Sequence, residues 1–327
     1  MRILLAKNSK AMTESSDLEE LRNTLDDKEA LIWVDLYRDS ADESRRVMTE
    51  IFNFHPLSVD DALVEMHVPK IDDWGNYLYM SLVAVDPEQT LDDIDKSIEL
   101  DIFLGLNYIV TYHQEELHSV DLVWNNVLRN ESHLQRGSKY IIYQIIDELA
   151  NEYMKMVDYL DMRVEEIEDT VIEKPNKKLL EDIFTIKRSL LNLRRIIAPQ
   201  REVLNKLSRG DFEIVNQKER MYFRDVYDHL VRVHEIIESL REMVGGALDT
   251  YLSVINNQLS NIMKTLTIIT TLFMPLSFLT GFFGMNFFAA SNRLNQWTGV
   301  ASFGVIMAVM IGLPLGMFLW MRRRDWM

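Results

Sequence analysis

Two long uncharged apolar runs close this chain. TLTIITTLFMPLSFLTGFFG begins at Thr265, and VASFGVIMAVMIGLPLGMFLWM runs from Val300 to Met321. About 20 helical residues rise roughly 30 Å, the hydrocarbon thickness of a bilayer. Between Thr265 and Met321 the one side chain ionised at neutral pH is Arg293, although 26% of the whole chain is charged. The runs therefore predict two transmembrane helices joined by about fifteen residues. Pro275 and Pro314 lie inside them, a placement costly in a soluble helix but tolerated in lipid, where neighbouring helices repair the ladder. Lys264 precedes the first run and Arg322, Arg323 and Arg324 follow the second. The positive-inside tendency then puts both the N- and C-termini in the cytoplasm of a multi-pass protein of the cell (inner) membrane. Trp297 and Trp320 suit interfacial belts. The first residues, MRILLAKNSK, hold too short an apolar run for a signal peptide.

Charge and composition narrow the function. Lys and Arg number 35 against 51 Asp and Glu, a net charge of -16, which argues against a nucleic-acid partner, whose phosphates need clustered bases. The absence of Cys excludes disulfides, thiolate metal sites and cysteine nucleophiles. No Walker loop or catalytic triad is recognisable, and His234-Glu235 with Glu238 lacks the second His of a zinc protease helix, so the chain does not read as an enzyme. His55, His67, His113, His118 and His133 are dispersed without zinc-ligand spacing and read as surface or locally bonded residues. Residues 1–264 carry 31 bases (35 less Arg293, Arg322, Arg323 and Arg324) and 50 acids (51 less Asp325), a balance of -19, while the other 63 residues carry +3.

The N-terminal part reads as a cytoplasmic α/β domain over 1–130. Ala30–Tyr37, Tyr77–Val85 and Asn107–Tyr112 have the aromatic and β-branched content of strands, with helical pieces at Asp17–Leu25 and Leu57–Val64. From Tyr140 the apolar period becomes helical. Residues 140–173 and 177–208 form a hairpin within a 131–211 segment, turning at Lys174-Pro175-Asn176 and broken or kinked near Pro199. The first arm bears Asp158, Asp161, Glu165, Glu166, Glu168, Asp169 and Glu173, either a solvated face or one that senses cations. After Gly210 no proline occurs until Pro275, so residues 212–283 read as one long helix that includes the first crossing. If helical from about residue 213 it is roughly 105 Å long and must pack against copies of itself or the hairpin. A loop at 284–299, the second crossing at 300–321 and a basic tail at 322–327 complete the chain.

That long helix carries a polar stripe. Steps of seven from Asp249 give Asn256, Met263, Thr270 and Ser277; a second set is Ser253, Ser260, Thr267, Met274 and Gly281. An a/d seam made of Asp, Asn, Ser, Thr, Met and Gly does not specify a hydrophobic zipper. It reads either as close helix packing in lipid or as the lining of a water-filled channel on the axis of an oligomer. Two crossings per chain cannot enclose a pore alone. A carboxylate ring at Asp249, hydroxyl and amide rings above it and the turn Gly284-Met285-Asn286 would offer oxygen to a cation, with Met263, Leu266 and Met274 as apolar constrictions and Arg322, Arg323 and Arg324 as a basic ring at the cytoplasmic mouth. At 100 mV, interior negative, a dication gains roughly 4.6 kcal/mol on entry, so influx needs no ATP site.

GFFGMNF directly after LTIITTLFMPLSFLTG, with YFRDVYDH at 222–229, IIAPQREVL, the KP-centred hairpin and the basic tail, resembles the CorA family of magnesium transporters over most of the chain. The resemblance implies a funnel-shaped homopentameric channel in the bilayer, its pore lined by the long helix and gated by intracellular Mg2+, with Co2+ and Ni2+ as further candidate ions. Asn286 would hold the incoming hydrated ion through its carbonyl. Asp86 and Asp225 would bind regulatory Mg2+ between neighbouring cytoplasmic domains and favour the closed state. Asp249 would form the inner acidic ring. Two positions depart from the family pattern: FFAASNRLNQW follows GMN without a carboxylate, and Ser260 stands where the family commonly has Asn. Two alternatives stay open, transport of zinc or another divalent ion coupled to protons and a membrane-anchored scaffold that uses the seam only for packing.

Overall fold

In the computed structural model, the described residues are 1–7, 11–15, 17–25, 27, 29–37, 39–64, 68–85, 97–130, 136–284 and 300–323. The chain divides into two compact units, Met1–Asp249 and Thr250–Met327.

The first unit is built on a seven-stranded sheet of order β2-β1-β3-β7-β6-β5-β4, with β1 at Arg2–Lys7, β2 at Ala11–Ser15, β3 at Leu31–Tyr37, β4 at Lys70–Asp73, β5 at Leu78–Val85, β6 at Ser97–Leu104 and β7 at Tyr108–His113. Among these neighbours β3 and β7 pair in parallel, Ile32 opposite Tyr108, and the other pairs are antiparallel. Every residue of β5 is buried, which requires cover on both faces of the sheet. One face packs against α1 (Leu18–Leu25), α2 (Ala41–Arg46) with its π-helical continuation Val47–Ile51, and α3 (Pro56–Leu63), in a core of Ile3, Leu21, Val34, Met48, Phe54, Val59 and Phe103. On the other lie α4 (His118–Arg129), α5 (Ser138–Glu173) and α6 (Lys177–Arg209), with Trp124 of α4 against Trp33 at 4.7 Å between ring centroids.

Three expected strands thus become seven. The segment RILLAK, weighed above only as a signal peptide, is β1: a short apolar run carries no period that separates strand from helix, and burial between two partner strands decides it. In β6, SIELDIFL, the polar half of the alternation is buried too: Glu99 is 4% and Asp101 2% exposed, held by Ser81 (2.7 Å) and the Tyr79 hydroxyl (2.6 Å). Burial pushes the Asp101 carboxyl well up, and the Glu99 charge adds to this against the Tyr79 bond.

Asp35 on β3 is handled in the opposite way. Fully buried, it accepts from Arg2 Nε (2.8 Å) and Thr111 Oγ1 (2.6 Å) and faces His113 Nε2 (3.1 Å). Burial alone would raise its pKa, but the His113 bond and charge, with Arg2 and Thr111, outweigh it and hold the carboxyl below its ordinary value. His113 is therefore a locally bonded residue, as is His55, whose Nδ1 accepts from Leu57 N at the start of α3.

Of the break or kink expected at Pro199, the helical hairpin shows no break. Helix α6 runs unbroken from Lys177 to Arg209 through that residue. A proline in a helix interior costs about 3 kcal/mol, and burial of a large apolar side chain returns about 1.5–3. Here Ile196, Ile197, Val203 and Leu204, all buried on the two sides of Pro199, outweigh the break. The seven acidic residues of the α5 arm are all exposed. Gly210, at φ +82° in the left-handed region, ends α6 where L side chains are strained.

The second unit comprises the distal part of α7, a helix of 68 residues from Gln217 to Gly284, and α8 (Val300–Arg323). At 1.5 Å per residue α7 is about 100 Å long. It starts four residues later than expected because Asn216 caps it: its Oδ1 accepts from Lys218 N (2.9 Å) and Glu219 N (3.1 Å), while Glu219 returns a carboxylate to Asn216 N (2.8 Å). That reciprocal capping box is written in the sequence as Asn-Gln-Lys-Glu.

Candidate ion path on the long helix

Helix α7 buries one of its edges over its proximal part only. Over Phe223, Val226, Leu230, Val233, Ile237, Leu240, Val244 and Ala247, spaced alternately by three and four, it buries an apolar edge in the first unit. Tyr222 stacks on Tyr143 of α5, and Glu238 pairs with Arg194 of α6 at 2.8 Å. Beyond Tyr251 the residues to Gly284 are exposed or intermediate among those described.

The polar seam lies on the other side. Asp249 follows Ala247 by two residues, about 200° around the helix, so the seam begins nearly opposite the buried edge. Asp249, Asn256, Ser260, Thr267, Thr270, Ser277 and Gly281 are all exposed, as are Met263, Leu266 and Met274. Followed back in steps of seven and four-three, the same register reaches Asp228 and Asp225, also exposed.

Two threonine hydroxyls of this face have a fixed polarity. Thr267 Oγ1 donates to Met263 O (2.8 Å) and Thr270 Oγ1 to Leu266 O (2.7 Å). With the hydrogen taken by the preceding turn, each oxygen keeps its lone pairs for whatever approaches the seam. Oxygen acceptors without competing donors suit a hard cation.

Near the start of α7, Asp225 is exposed and lies 3.5 Å from the Tyr143 hydroxyl of α5. One turn along α5, Asp147 faces His229 at 3.4 Å. Burial raises the Asp147 pKa; His229 opposes this, while the Asp225 charge adds to it. The Asp147 carboxyl thus feels the Asp225 charge, with His229 beside it as the opposing partner. Asp147 and His229 escaped the sequence reading because they come from different helices; YFRDVYDH contains His229, but nothing local marks Asp147 as its partner. Among the described residues of one chain no group of three or more His, Cys, Asp or Glu is disposed to hold a metal.

Arg322 and Arg323 are exposed in the last turn of α8, where cations suit the helix dipole. Gly284 is the last residue of α7. Asp86, Met285, Asn286 and Arg324 lie outside the described residues. Both α7 and α8 contain stretches long and apolar enough to cross a membrane, and none of either stretch is buried within the chain.

The family model described as "CorA-like Mg2+ transporter protein" matches residues 28–323. YfjQ of Bacillus subtilis is 32% identical over 297 residues, covering 91% of this chain and 90% of that one. The cobalt/magnesium transport protein CorA of Thermotoga maritima is 31% identical over 279 residues, covering 85% and 78%. The complete structure of the CorA magnesium transporter from Methanocaldococcus jannaschii superposes with a TM-score of 0.82 at 22% identity, covering 100% of this chain and 99% of that one, and so shares the fold. The α/β unit, the long helices and the two apolar C-terminal helices are thereby accounted for together, and the chain belongs to the CorA-like family.

Proposed function

We propose that this protein carries magnesium across the cell membrane as a homopentamer, with the polar seam of α7 facing the shared axis and α8 outside it. The observation that carries this is the burial of one edge of α7 over its proximal part: the apolar edge is consumed by the chain's own first unit, and the oxygen-bearing edge opposite it is left for copies of itself. Asn286, with Gly284 and Met285, receives the hydrated ion; Asp249 forms the inner acidic ring, Met263, Leu266 and Met274 the constrictions, and Arg322 to Arg324 the basic mouth. The termini lie in the cytoplasm.

Gating follows from charge. Subunits whose first 264 residues carry -19 repel one another, and dications between them relieve that cost. Asp225 of one subunit and Asp86 of the next hold regulatory Mg2+, with Asp147 adding to the negative field around Asp225. Loss of the ion loosens the assembly and lets the constrictions wet. Flux of Mg2+ into proteoliposomes, lost in Asn286→Ala, tests the transport reading; a purified protein with no flux returns the seam to a packing role. Co2+ and Ni2+ are assayed as competing cargo. Zinc flux that depends on a pH gradient would instead favour the proton-coupled alternative.

A further inference from the structure

Helix α6 contains the segment IIAPQREVL, to which neither the pore nor the regulatory pair gives a role. At its centre Gln200 is fully buried. Its Oε1 accepts from the backbone N–H of Val83 on β5 at 3.1 Å. The carbonyl of the same residue accepts from the hydroxyl of Tyr153 on α5, which also lies 3.2 Å from Gln200 Oε1. Burial pushes the Tyr153 phenol far up, so it stays a donor. Pairing of β4 with β5 stops at Ser81, opposite Lys70. Two residues further, side chains from two helices supply the backbone bonds that a neighbouring strand would otherwise provide. The arrangement carries a cost, because Gln200 Nε2 is buried with no partner.

A leucine at position 200 would remove the orphan Nε2 but leave the Val83 N–H without its acceptor, so what the glutamine supplies is its grip on β5. Val83 stands three residues before Asp86 in sequence, at the end of β5. The same α5 that presents Tyr153 also presents Tyr143 and Asp147 to Asp225, ten and six residues earlier along a rigid helix.

We propose that Gln200 and Tyr153 are positioning residues for Mg2+ regulation. They clamp the end of β5 to the α5–α6 pair, so that the strand leading to Asp86 and the helix facing Asp225 are set by one rigid element. The proposal rests on the reading of Asp86 and Asp225 as the regulatory pair. Neither residue touches the ion.

The test uses the full-length protein in lipid nanodiscs and reads the Mg2+ concentration at half-maximal protection from protease. Gln200→Leu and Tyr153→Phe are each expected to raise that midpoint about fivefold, the factor of one net hydrogen bond. Both are also made in an Asp86→Asn/Asp225→Asn background, where the midpoint should not move further. Tyr153→Phe loses a single hydroxyl and carries the test if Gln200→Leu does not assemble. An unmoved midpoint in assembled protein overturns the proposal. So does an equal shift in the double-Asn background, which would mark general loosening. If the double-Asn variant matches wild type, the regulatory pair itself is wrong and the proposal falls with it. A normal response to the double-Asn change with silent Gln200 and Tyr153 variants sinks the clamp alone.

Discussion

Asp35→Asn should unfold the first unit early, and by an amount that the geometry sets. The carboxylate holds Arg2 at 2.8 Å and Thr111 at 2.6 Å and faces His113 at 3.1 Å, with no solvent exposure. Asparagine keeps one acceptor oxygen, enough for Thr111 and His113, but turns its NH2 toward the Arg2 guanidinium. The loss is one charge-assisted bond, about 1.5–3 kcal/mol, plus the cost of leaving a guanidinium partly unpaired beside a buried donor. About 3 kcal/mol in total lowers the melting temperature of a unit this size by about 8 °C. The near-ultraviolet signal of the packed Trp33–Trp124 pair follows the transition in detergent-solubilised protein.

The pH dependence supplies a second check on the same residue. A carboxyl whose folded pKa lies below its unfolded value stabilises fully above the unfolded value, and that contribution is lost as pH falls through the folded one. The gap between wild type and Asp35→Asn should therefore hold steady from about pH 7 to about pH 5 and close below about pH 4. A gap under about 1 °C at neutral pH, or one that widens in acid, would refute the account of Asp35 as an ionised, paired residue.

Three other outcomes are expected. Asp101, its pKa raised by burial, contributes stability that is lost as pH rises above the unfolded value, so Asp101→Asn should gain on wild type between about pH 5 and about pH 8; a constant difference counts against a protonated Asp101. Thr270→Val removes an outward oxygen at nearly constant shape and should cut Mg2+ flux in proteoliposomes about fivefold with the helix intact, whereas undiminished flux takes Thr270 off the ion path. Asn216→Ala should cost the start of α7 about 1 kcal/mol, seen as faster amide exchange at Lys218 and Glu219, and unaltered exchange would deny Asn216 the cap.

How much of this was legible in the residues depended on how local each cause was. The two apolar helices were readable because lipid and helical period act on contiguous sequence: both lie on helices long and apolar enough to cross a membrane. The capping box at Asn216 was equally local and could have fixed the helix start. Strands β1 and β6 were not readable, since what makes RILLAK a strand and buries Glu99 and Asp101 is the company of other strands. Continuity through Pro199 has the same origin, in apolar cover brought from α5 and the sheet. Asp225 could be picked out by its motif, but Asp147 and the grip on Val83 arise from contacts across 78 and 117 positions of chain.

Thr267 and Thr270 have a consequence for the sign of what would pass them on the proposed path. Because both hydroxyl hydrogens are already committed to the helix backbone, a chloride ion beside them would find nothing to solvate it, while a positive ion would find electron pairs. On that path anions would be discouraged by uncharged atoms, a form of discrimination that rising ionic strength does little to blunt.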